Sequence, residues 1–124
     1  MLKRISILML LPLLLAGCAA RFTNLTPRQE SRAGNNLYPV EVIMNSQQQT
    51  LRWDSIKVQV VVGKQSYPMH QTALMKNRWE GFVPVPLGVS TVRYHFKFDY
   101  LYNSFGAPKA DSATTPEYTL RVTE

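Results

Sequence analysis

Only a handful of residues in this chain have types and spacing suited to chemistry. His70 and His95 are the only histidines, and Cys18 is the only cysteine. His95 and Asp99 lie four apart, which puts them on one face of an extended strand. Acid–base catalysis or metal binding would need further groups converging on them from elsewhere. The chain holds no His-x-x-x-His, paired-carboxylate or Gly-x-Ser-x-Gly motif to supply them. A solvated sheet face is the simpler reading, so no catalytic and no metal-binding residue is expected. Trp53 and Trp79 have flat faces that stack on sugar rings, although a Trp beside a strand turn ordinarily packs into a core. Arg93, Lys97, Lys57 and Lys76 would form a basic patch if the fold gathered them, and would merely solvate the surface if it did not. Phe105 stands alone in a small, polar segment, either as a contact residue or tucked back onto the core.

The setting of Cys18 is more specific. Lys3 and Arg4 form a short positive region, and Ile5 to Ala16 is an apolar run too short to span a bilayer as a stable helix. The run ends in Leu15-Ala16-Gly17-Cys18. These four residues resemble the lipobox of bacterial lipoproteins. That resemblance implies recognition of Leu15, Ala16 and Gly17 by a signal peptidase, a diacylglyceryl group on the Cys18 thiol, cleavage before Cys18, and N-acylation (palmitate-type) of the freed amine. Two or three acyl chains hold a protein on a membrane far better than one, at about 0.8 kcal/mol per buried methylene. A lone cysteine also leaves the mature chain without an internal disulfide. Ala19, where the inner-membrane retention signal of enteric lipoproteins has Asp, points by the same resemblance to the outer membrane.

The 124 residues leave room for one domain. Their 14 Lys and Arg against 8 Asp and Glu give +6, but Lys3 and Arg4 leave with residues 1–17. The mature balance is 12 against 8, or +4. No basic–aromatic module for nucleic acid is present, and none is expected across a membrane from the cytoplasm. Residues 18–37 are polar and turn-rich and read as the lipidated cysteine plus a flexible tether. About 18 such residues would reach roughly 25 Å.

The elements that position any site begin at Tyr38. Val40, Val42 and Met44 alternate with polar residues, as do Ile56, Val58, Val60 and Val62 within 51–62. Gly63 to Ser66 reads as a hairpin turn into a short strand at 67–71, and 73–77 as one helical turn or an irregular link. A strand at 78–85 ends where Pro84 and Pro86 withhold ladder donors. Val89 to Tyr102 is the longest alternation: Val92, Tyr94, Phe96, Phe98, Tyr100 and Tyr102 on one face, with Thr91, Arg93, His95, Lys97 and Asp99 on the other. Residues 103–116 read as a long loop and 118–123 as a closing strand. Short alternating strands separated by turns predict an all-β sandwich over 38–124.

Trp79 to Gly88, then Val92 to Asp99, then Tyr118 to Val122 resemble the C-terminal half of early-set immunoglobulin-like domains. The resemblance implies a small immunoglobulin-like β-sandwich, and glycogen- and starch-binding modules are one branch of that group. The chain departs from that branch after Asp99, where Tyr100-Leu101-Tyr102 replaces the usual Gly and no further Trp follows. The expectation is therefore a non-enzymatic envelope lipoprotein that is held to the membrane by its lipid, has no other cofactor, and binds a protein partner. A glycan-binding module is the alternative, and Trp53, Trp79, Arg93, Lys97 and Phe105 are the candidate contacts.

Overall fold

A computed structural model describes residues 20–124. Among them run ten strands: β1 (Arg21–Asn24), β2 (Gln29–Ser31), β3 (Leu37–Asn45), β4 (Leu51–Val62), β5 (Gln65–Pro68), β6 (His70–Gln71), β7 (Arg78–Pro84), β8 (Thr91–Tyr102), β9 (Lys109–Thr114) and β10 (Tyr118–Thr123). One sheet has the order β1-β3-β7-β6. The other has the order β2-β10-β8-β4-β5, with β9 also paired to β8. The orders β1-β3-β7-β6 and β10-β8-β4 match the A-B-E-D and G-F-C sheets of an immunoglobulin-like sandwich, with β5 added beside β4, β2 beside β10 and β9 beside β8.

Alternation builds the core. Tyr38, Val40, Val42 and Met44 of β3 face Ile56, Val58 and Val60 of β4, Trp79 and Val83 of β7, Tyr94, Phe96 and Phe98 of β8, and Leu120 and Val122 of β10; all are buried. Burying each such side chain contributes about 1.5–3 kcal/mol. Phe98 is central: its ring lies 4.8 Å from Phe22 and 5.7 Å, edge-on, from Trp79. Tyr100 and Tyr102 continue the aromatic register but are only half-buried.

Three expectations need correction. Residues 21–24 and 29–31 of the expected tether are strands, β1 against β3 and β2 parallel to β10. Phe22 packs against Phe98, and Asn24 Nδ2 donates to the Tyr94 hydroxyl at 2.9 Å, so the segment is tied to both sheets. The expected loop 103–116 contains β9, paired along its length with Lys97 to Tyr102. Buried Thr115 joins β9 to β10 by exchanging hydrogen bonds with Phe96, its Oγ1 accepting from Phe96 N and its own N–H donating to Phe96 O, both at 3.0 Å. The expected strand 67–71 is two strands, β5 in one sheet and β6 in the other. The chain crosses between sheets at buried Met69, whose side chain requires Gly81 opposite: a Cβ there would come within 2.9 Å of Met69 Cγ.

Candidate functional site

The outer face of β8 presents Arg93, His95, Lys97 and Asp99, as the alternation predicts. Lys97 stands between Gln59 and Thr114, and Asp99 between Lys57 and Ser112. Lys97 Nζ lies 3.9 Å from Asp99 Oδ1, both half-exposed, a pair worth at most about 1 kcal/mol. His70 sits on β6 opposite Glu80, in the other sheet. The two histidines therefore lie on different sheets, and the neighbours of Asp99 are Lys57, Lys97 and Ser112. Among the described residues no three of His, Cys, Asp and Glu gather as a metal site. Lys57, Arg93 and Lys97 share this face, with Asp99 beside Lys57 and Lys97, whereas Lys76 lies elsewhere.

Beside this face an open groove of about 570 Å³ runs past Ser55, Lys57, Asp99, Tyr100, Asp111 and Ser112. Burial, and then the carboxylate of neighbouring Asp111, push the Tyr100 hydroxyl above its ordinary pKa of 10.0. The groove offers hydroxyls, one lysine and two carboxylates, a set suited to hydrogen-bonding a polar chain.

The tryptophans divide. Trp79 is buried in the core, as a Trp beside a strand turn was expected to be. Trp53 is half-buried at the mouth of the sandwich, and the Lys76 ammonium stands 5.2 Å above its ring. It reaches that place through a bulge. Leu51 and Arg52 pair with Tyr102 and Leu101, but Lys57 pairs with Asp99, so β4 carries three extra residues between them. An odd number of extra residues reverses the face, putting Leu51 and Trp53 on the side of Ile56, Val58 and Val60. Ser55 stitches the bulge: its Oγ accepts from Leu101 N–H at 2.8 Å and donates to Arg52 O at 2.6 Å.

At the same end of the sandwich three loops meet. The β3–β4 loop receives the Asn103 N–H at Thr50 O, and Met44 N–H bonds to Asn77 O ahead of β7. Arg21 pairs with Asn45, so the chain enters the fold here too. Leu74 and Phe105 project from two of these loops, fully exposed, which places Phe105 as a surface residue and not a core one. The exposure of Leu74 escaped sequence reasoning. Its signal was weak, an apolar residue in a segment without strand alternation. Leu15, Ala16, Gly17 and Cys18 lie outside the described residues. Compared with known proteins, the chain matches no family model, no curated protein and no solved structure.

Proposed function

We propose that this chain is a non-enzymatic bacterial lipoprotein, anchored through lipid on Cys18, whose early-set immunoglobulin-like domain binds a protein partner in the cell envelope. Ala19 after Cys18 favours the outer membrane. The observation that carries the binding proposal is β9. Its six residues pair with β8 on one side, and among the described residues no strand pairs with the other. An unpaired edge of that length offers backbone donors and acceptors to an added strand. The hydroxyls and charges of the adjoining groove would read that strand's side chains. The edge strands of the other sheet are shorter, β1 with four residues and β6 with two.

A photo-cross-linking residue at Ser112 on β9, set against one at Glu80 on the opposite sheet, tests this in intact envelopes. The expected result is a defined protein adduct from Ser112 alone, lost when Cys18→Ser removes the anchor. Equal adducts from both positions, or none, would contradict the proposal. Recovery of polysaccharide instead would favour glycan binding, for which half-buried Trp53 is the one tryptophan with a reachable ring.

A further inference from the structure

We propose that the end of the sandwich carrying Leu74, Met75 and Phe105 docks on a bilayer with anionic headgroups, the two loop tips entering its interfacial layer. Scattered exposed apolar side chains are ordinary on any protein, so exposure alone decides nothing. Placement and local conformation do. Leu74 and Phe105 are both fully exposed, at 106% and 104%, and Met75 is exposed beside Leu74. All three stand in connections between strands at the end where the chain enters the fold.

Leu74 is the sharper case. Met75 N–H donates to Thr72 O at 3.1 Å, which closes a four-residue turn with Leu74 in its third position at φ 65°. Ala73 keeps a negative φ, so the turn is of type II, whose third position favours Gly or Asn. A leucine there accepts backbone strain and faces water, and the fold gains nothing from it. Phe105 has the converse arrangement. It is followed by Gly106 at φ 89°, which allows a sharp turn with the ring outward.

Charge and connection fit the same occupant. Arg21, Arg52, Lys76 and Lys109 ring this end, against Asp54 and Asp111, and the guanidinium of Arg78 is taken by Glu41. Basic residues flanking apolar tips suit the interface of an anionic membrane. Three peptide steps separate Cys18 from Arg21, a reach of about 11 Å at most. The docking therefore rests on the lipid anchor proposed above for its orientation: lipid on Cys18 would hold this end, and not the opposite one, against the headgroups.

The protein extracted from its host membrane is first weighed. A missing acyl mass on Cys18 would overturn the anchor without touching the docking. Docking is read in vesicles of phosphatidylethanolamine and phosphatidylglycerol, using an environment-sensitive dye on a single introduced cysteine. Leu74→Cys and Phe105→Cys are compared with Leu87→Cys, an exposed site at the opposite end. If Cys18 proves unacylated, the same three labels go onto a Cys18→Ser background added to the vesicles. Blue-shifted dyes at 74 and 105, quenched several-fold by lipids with spin-labelled acyl chains and relaxing as salt rises, support the proposal. Equal quenching at 87, or none at 74 and 105, overturns it. Leu74→Asn is the second arm: quenching of the dye at 105 should fall while the thermal midpoint holds or rises. A fall in both would mean that Leu74 serves the fold, and the proposal fails.

Discussion

The two ends of the sandwich are built differently. At one end Arg32, with a side chain only 12% exposed, reaches from the segment after β2 across the loop that follows β7. Its guanidinium donates to Val85 O at 2.8 Å, to Val89 O at 2.7 Å and to the Glu124 carboxylate at 3.1 Å. One side chain thus ties three separate stretches of chain, including the last residue. At the other end, among the described residues, no single side chain gathers several stretches, and the ties are pairwise: Asn103 N–H to Thr50 O, and Met44 N–H to Asn77 O. Ser55 holds a bulge, Lys76 covers Trp53, and two loop tips hold apolar residues in water. The first end is organised to hold the sandwich closed. Both ends expose apolar side chains, Leu87 at the first and Leu74 and Phe105 at the second, but only the second holds a leucine at positive φ. Such exceptions to local rules tend to collect at sites of function.

Breaking the first end should have the largest effect. Arg32→Ala leaves the Val85 and Val89 carbonyls without their charged donor and should cost about 2–3 kcal/mol in denaturant unfolding. If the loss is below about 0.5 kcal/mol, the contrast between the ends disappears. Ser55→Ala comes next, at about 1–2 kcal/mol, because the Leu101 N–H loses its acceptor. Trp53 fluorescence should shift in that variant as the bulge loosens, while the edge-on packing of Trp79 on Phe98 stays as it was. Leu74→Asn should have the opposite sign, a gain of up to about 1 kcal/mol from relieving the left-handed leucine. Phe105→Ser should leave stability within about 0.5 kcal/mol of the parent.

The smallest effect concerns pH. The Tyr100 pKa is raised, so the folded chain keeps a proton that the unfolded chain loses near pH 10. Above that pH the folded state binds more protons, and stability falls as pH rises. Asp111→Asn removes the nearby negative charge and should move the phenolate absorbance transition back toward its ordinary position. An unmoved transition would mean that burial and neighbouring Tyr102 set it.

How much of this was legible in the sequence depended on the length of each element. β3, β4, β8 and β10 could be read from their own side chains, because each carries at least three alternating apolar or aromatic positions, and β7 from Trp79 and Val83 on either side of Gly81. β1, β2 and β9 could not. Arg-Phe-Thr-Asn, Gln-Glu-Ser and Lys-Ala-Asp-Ser-Ala-Thr have no strand pattern of their own, and their conformation comes from the edges of β3, β10 and β8. The face of Trp53 was hidden for a related reason. Alternation carried back from Ile56 puts it outward, and only the three-residue slip in pairing turns it in. Of the candidate contacts, Arg93 and Lys97 could be assigned to the outer face from parity. Phe105 could not be placed, because a turn residue has no periodic neighbours to fix its side.

The central claim is that lipid on Cys18 joins the membrane to the end of the sandwich where the chain enters. The intact mass of the membrane-extracted protein tests its first half most directly. The expected species lacks residues 1–17 and carries diacylglyceryl and N-acyl groups on Cys18. A mature chain that begins elsewhere, or a free thiol at Cys18, would contradict it.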